Sequence, residues 1–306
     1  MTSFAPKIAM ISFVAGLGFL ACARTAPTPP SANPSALTTD AATDASPADA
    51  STSDATTEVA IVDAAPLTRA FGPYELPLSG KRKVYYAVSQ SASGTHRVIA
   101  NLHGMCNPPG YACGYWLDAG TKMGFMICPE GNTVCGAGGP SSWDESFTAM
   151  DGDLEAAIRV VDVAHPGELS REGSILTAFS RGAYAAPIIA GMHPGRWPYL
   201  ILAEADVSLS AYALRKAGVK AVVLLAGEWG TQIKGERETV KRLQNEHFPA
   251  LFLTMKKAGH YYSADIDDLM SQAIAFVLAA VDAVSSADSG AADAGAVDAG
   301  DAASPR

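Results

Sequence analysis

Four long apolar runs, "GSILTAFS" (173–180), "YLILAEA" (199–205), "KAVVLLAGE" (220–228) and "PALFLTMKK" (249–257), follow one another at short intervals. None of them alternates polar and apolar residues. A strand that is apolar on both sides must be covered on both sides, which is the situation of an inner strand in a parallel sheet. The segments between and after them read as helices: "RGAYAAPIIAGM" (181–192), "LSAYALRKAG" (209–218), "ERETVKRLQNEHF" (236–248) and "DIDDLMSQAIAFVLAAV" (265–281). Upstream, "RKVYYAVS" (82–89), "HRVIANLHG" (96–104) and "GFMICPEG" (124–131) read as strands, and "DGDLEAAIRVVDVAH" (151–165) as a helix. The alternation predicts an α/β fold, a mostly parallel sheet covered by helices on both faces.

In such a sheet the functional groups gather beyond the carboxyl ends of the strands. Those positions here hold His103 and Gly104, Ser180, Asp206, Glu228 and His260. A serine, a histidine and carboxylates are the parts of a hydrolytic triad. In "TAFSRGA", Ser180 has Ala178 two places before it and Gly182 two places after it. Small residues at those positions permit a sharp strand-to-helix turn that exposes the hydroxyl. A plain helix N-cap is the competing role for such a serine.

The pieces "VIANLHG", "TAFSRGA", "VVLLAGE" and "MKKAGHYYS" resemble the α/β-hydrolase family over residues 82–281. The resemblance implies Ser180 as nucleophile and His260 as base. It implies an oxyanion hole formed by the backbone amides of Met105 and Arg181. The acid is where the sequence departs from the family. Gly230 stands where the family's Asp is expected, and Glu228 is the nearest carboxylate. The expected acid is therefore Glu228, with Asp206 as its rival and Glu204 as a weaker one. His103 is expected to be structural. No long insertion separates "AEADV" from "VVLLAGE", which predicts no separate cap domain.

The expected function is cleavage of a small-molecule carboxylic ester through an acyl-enzyme, with no cofactor and no metal. A peptidase or amidase of the same fold is the alternative within enzymes. A non-catalytic surface lipoprotein is the alternative outside them.

The ends of the chain have another character. Residues 1–21 hold one cation, Lys7, and an apolar stretch too short for a membrane span, which predicts a signal segment. It ends "GFLAC" and resembles a bacterial lipoprotein signal, with Phe19 where Leu is usual. That resemblance implies lipidation of Cys22, export to the cell envelope and membrane attachment through the lipid. A secreted form released by ordinary cleavage is the alternative.

Residues 22–69 and 285–306 are rich in Ala, Asp, Ser, Thr and Pro and poor in large apolar side chains, so a disordered tether and tail are expected there. The catalytic domain is then 70–284. Most of the net charge of −9 sits in these flanks, and the middle is closer to neutral. Nothing in it invites nucleic acid.

In an oxidising compartment Cys106, Cys113, Cys128 and Cys135 are expected to form disulfides. Six residues separate the members of each sequential pair. The local pairings 106–113 and 128–135 are favoured, and crossed pairing stays open. The spacing is not that of structural zinc.

Overall fold

A computed structural model describes residues 71–91 and 93–292. Cys22, the signal segment and the tether lie outside them. In chain order the first elements are β1 (Tyr74–Ser79), β2 (Arg82–Ala87), β3 (His96–Leu102), α1 (Pro109–Tyr115), α2 (Leu117–Met123) and β4 (Phe125–Pro129). A small hairpin of β5 (Thr133–Val134) and β6 (Ser141–Ser142) follows, then α3 (Phe147–Ala164), β7 (Leu169–Phe179) and α4 (Arg181–Met192). The chain continues with β8 (Tyr199–Ala203), α5 (Ala211–Lys216), β9 (Ala221–Gly227), α6 (Ile233–Asn245), β10 (Ala250–Met255) and α7 (Ile266–Ala292).

The main sheet has eight strands in the order β1-β2-β4-β3-β7-β8-β9-β10. From β4 to β10 the neighbours are parallel, while β1 and β2 add an antiparallel edge. Every residue of β8 and β9 is buried, as runs with no polar side require. The pleat divides β8 cleanly. Leu200 and Leu202 face a cluster with Leu154 of α3, Ile189 of α4 and Leu243 of α6. Tyr199, Ile201 and Ala203 face the opposite cluster, with Trp116, Ala119 of α2 and Ile274 of α7. The expected helix-covered parallel sheet is what forms.

The disulfides correct the favoured pairing. Cys106 joins Cys135, with Cα atoms 5.5 Å apart, and Cys113 joins Cys128, at 6.2 Å. The cause is helix α1, whose seven residues are too few to show a helical period in the sequence. Cys106 stands in the turn before α1 and Cys113 inside it, so α1 carries the second sulfur away and lays it on β4, where Cys128 is buried. The extended segment from Cys128 through β5 likewise separates Cys128 from Cys135. The outer disulfide ties the loop after β3 to the hairpin. Among the described residues no helix is long and apolar enough to cross a membrane.

Candidate active site

Ser180 is the residue between β7 and α4. Its backbone has φ 50° and ψ −116°, a conformation that strains a residue with a Cβ by on the order of 1–3 kcal/mol. The neighbouring strand over-determines it. The Ser180 N–H donates to Ala203 O at 2.8 Å, so the ladder runs one residue past β7 before the chain turns. The Ser180 carbonyl accepts from the N–H groups of Ala183 and Tyr184, which starts α4. The hydroxyl does not cap that helix. Gly182 is there for space. A Cβ on it would lie 2.1 Å from Leu102 O, because the start of α4 rests directly on the end of β3.

The hydroxyl faces histidine. Ser180 Oγ is 2.8 Å from His260 Nε2, and the ring lies against Phe179 with centroids 5.2 Å apart. His260 comes from the loop between β10 and α7. On its far side, Nδ1 is 3.0 Å from Glu204 Oε2. A carboxylate only accepts, so Nδ1 carries the ring proton and Nε2 offers its lone pair to the serine hydroxyl.

Glu204 repeats the device seen at Ser180. Its N–H donates to Leu225 O at 2.8 Å, extending the ladder one residue past β8, and then the backbone turns to φ 60°. The side chain has 0% exposure. Burial pushes its carboxyl above the ordinary value, while the Gly227 N–H and His260 draw it back down. The Gly227 N–H donates to Oε1, so each oxygen has one defined partner.

This corrects the expected acid. Glu228 Oε2 instead accepts from the Lys257 N–H at 2.9 Å, bridging the ends of β9 and β10 on the exposed surface. Asp206 accepts from the Tyr184 hydroxyl. Position 230 explains the departure. A Cβ there would stand 3.1 Å from Glu204 Oε2, so the place where the resemblance expected an acid is already filled by a carboxyl from the next strand end. The available signal was a carboxylate directly after the fully apolar run "YLILA".

The loop after β3 supplies the second wall. A Cβ on Gly104 would lie 2.9 Å from the Phe179 ring and 3.2 Å from Ser180 Cβ, so this loop touches the serine corner. Among the described residues, the N–H groups of Met105 and Arg181 have no hydrogen-bond partner. The first belongs to this loop, and the second is the first residue of α4, where no intrahelical acceptor exists.

His103 fixes the loop. Its Nδ1–H donates to Gly104 O at 2.7 Å, and its Nε2 accepts from the Gly131 N–H at 3.1 Å, with Ser141 Oγ 3.2 Å away. The Trp143 indole donates to His103 O at 3.0 Å. Burial lowers the His103 pKa to about 4, so the ring is neutral and structural.

Of the loop aromatics, Trp116 and Trp143 are buried and Tyr115 is half-exposed; the side chain of Tyr111 lies outside the described ones. Trp229 (65% exposed) and Tyr261 (48%) instead stand open beside Glu228 and His260.

A second carboxyl stands behind Glu204. Glu236 of α6 is fully buried, and its Oε1 accepts from the Ala205 N–H at 2.7 Å. Burial first, then the nearby charges of Glu204 and Asp206, push its pKa up to about 9. It is a neutral acid at pH 7. No cluster of three or more His, Cys, Asp or Glu suited to a metal occurs among the described residues.

A serine at a strained strand-to-helix corner, on the carboxyl edge of this sheet, is the nucleophile-elbow arrangement. The fold is α/β-hydrolase-like. No protein-family model matches the sequence, and no curated protein matches it. Solved structures do. An S-formylglutathione hydrolase from Staphylococcus aureus is 15% identical, with 67% of this chain and 96% of that one covered and a TM-score of 0.47. A ferulic acid esterase from Anaeromyces mucronatus, in complex with ferulic acid, is 13% identical over 68% and 92%, at 0.49. Zea mays acyl-protein thioesterase 2 is 15% identical over 63% and 98%, at 0.45.

Proposed function

We propose that the protein is an exported serine hydrolase that cleaves carboxylic esters through an acyl-enzyme. The observation that carries the reading is the unbroken chain from Ser180 Oγ through His260 to buried Glu204, at 2.8 and 3.0 Å. Ser180 Oγ attacks the ester carbonyl carbon while its proton passes to His260 Nε2. The carbonyl oxygen becomes an oxyanion, received by the amides of Met105 and Arg181. Glu204 stabilises the imidazolium through Nδ1–H. When the tetrahedral adduct collapses, the carbon–oxygen bond to the alcohol breaks and His260 returns the proton to the departing alkoxide. Water then attacks the acyl-enzyme with His260 as base, releasing the acid and restoring Ser180.

The test is labelling with a fluorophosphonate probe, whose phosphorus bonds covalently to an activated serine. Wild type is expected to label and Ser180→Ala to remain blank at equal concentration. An unlabelled wild type that is folded, or a labelled Ser180→Ala, overturns the reading.

The location rests on the chain's first residues. The "GFLAC" ending supports a lipid on Cys22, which would attach the protein to a membrane with no spanning helix. Cys22→Ala is expected to move the protein from the membrane fraction to the soluble envelope fraction. Unchanged membrane retention of that variant argues against the anchor.

A further inference from the structure

Glu236 of α6 has 0% exposure, and the reaction above does not use it. Burying a carboxyl where an apolar side chain could pack is costly, and among the described residues its Oε2 has no hydrogen-bond partner. Its Oε1 has one, the Ala205 N–H at 2.7 Å, and Ala205 directly follows Glu204.

That bond is the first of a series. After β8, residues 205–210 form neither helix nor strand, so their backbone groups need partners from elsewhere. One face of α6 supplies them, through residues three apart. Glu236 accepts from the Ala205 N–H, Thr239 Oγ1 donates to Val207 O at 3.2 Å, and the Arg242 guanidinium donates to Leu209 O at 3.0 Å. The helix is seated hard against this segment, since a Cβ on Gly235 would lie 2.9 Å from Asp206 Cβ.

The first bond matters most to the site. The backbone of Glu204 has φ 60°, a conformation that persists only where the surroundings impose it. On one side of its Cα, β9 holds the Glu204 N–H through Leu225 O. On the other side, α6 holds the Ala205 N–H through Glu236. Those two anchors set the direction of the Glu204 side chain. We propose that Glu236 is a positioning residue for catalysis, holding the strained turn at Glu204 so that its carboxyl meets His260 Nδ1, an inference that rests on the serine-hydrolase reading. A group in this place must accept from an N–H without setting a second charge beside Glu204. A protonated carboxyl does both, and burial with the charges of Glu204 and Asp206 keeps Glu236 protonated.

The test is hydrolysis of p-nitrophenyl acetate at pH 7 by folded variants. Glu236→Leu fills the space and leaves the Ala205 N–H without an acceptor. Its kcat is expected to fall about 10- to 100-fold with KM within about twofold. Glu236→Gln keeps an acceptor oxygen and is expected to stay within about threefold of wild type. Glu236→Asp, one methylene short of the Ala205 N–H, is expected to lose about tenfold in kcat and serves if Glu236→Leu does not fold. Thr239→Val breaks the next bond of the series, farther from Glu204. It is expected to lower the urea midpoint while its kcat stays within about twofold. The low-field proton resonance of His260 Nδ1–H bonded to Glu204 is expected in wild type and Glu236→Gln, and is expected to shift or vanish in Glu236→Leu.

Wild-type kcat in folded Glu236→Leu or Glu236→Asp overturns the role. So does a Glu236→Gln as impaired as Glu236→Leu, or a Thr239→Val that loses as much turnover. If Glu204→Gln loses activity and Glu236→Leu does not, the positioning role alone fails. If folded wild type neither hydrolyses the ester nor labels at Ser180, the serine-hydrolase reading fails, and the catalytic role of Glu236 falls with it.

Discussion

Glu204→Gln is expected to lower kcat/KM for p-nitrophenyl acetate by about 10⁴-fold, while Glu228→Gln stays within about twofold of wild type. The first effect follows from which oxygen has which partner. The Gly227 N–H must be met by an acceptor, so the amide oxygen of the new glutamine takes the place of Oε1. That leaves the amide NH₂ facing His260 Nδ1, where the carboxylate oxygen had been. Two donors cannot share that bond, so the ring proton moves to Nε2. Nε2 then points a hydrogen at Ser180 Oγ and has no lone pair with which to take its proton. The substitution is isosteric and removes a buried charge, so the loss appears in turnover and not in folding. Glu228 holds only the Lys257 N–H at the surface, and an amide oxygen meets that as well. Full activity in Glu204→Gln together with collapse in Glu228→Gln would return the acid to the end of β9.

Glu236→Gln is expected to remove a large part of the protein's loss of stability with rising pH. The carboxyl has a folded pKa of about 9 against an ordinary value of 4.5. A carboxyl whose folded pKa is raised contributes its full stability below the unfolded value, and that contribution drains away as pH rises toward the folded one. Between these limits the unfolded chain has released the proton and the folded protein has not, at about 1.4 kcal/mol per pH unit. From pH 4.5 to pH 7 this amounts to about 3 kcal/mol.

The glutamine in the variant does not titrate, and its amide oxygen still accepts from the Ala205 N–H. In urea unfolding, the variant is expected to gain on wild type by about 3 kcal/mol between pH 4.5 and pH 7. His103 acts with the opposite sign. Its folded pKa is lowered to about 4, so stability falls as pH drops from 6.5 toward 4, and this is common to both proteins and cancels in the difference. Two pH profiles that run parallel would show that Glu236 is ionised in the folded state.

How much of this was legible in advance depended on the range of the interaction. The apolar runs at 199–205 and 220–228 became β8 and β9 because two buried faces need no knowledge of what covers them. The run at 173–180 understated its strand. β7 starts at Leu169, in a polar stretch that pairs with His96 and Arg97 of β3. Pairing with a distant strand supplied what local composition lacked. β1, α1 and α2 carry too few residues to show a period in the sequence. α7 runs on to Ala292, past the boundary expected at 284.

By itself the chain determined the class of sheet, the serine at the corner and the histidine beyond the last strand. Each depends on side chains a few residues apart: an apolar run that ends, small residues two positions from a hydroxyl, a turn after a strand. Only the tertiary structure decided which carboxylate meets His260 and which cysteines pair. Each of these depends on strand order. β8 lies between β7 and β9, which brings Glu204 beneath His260 and turns Glu228 outward, and α1 lies on β4, which joins Cys113 to Cys128. A neighbour across a sheet is set by the packing of the whole domain, and no short stretch of chain contains it.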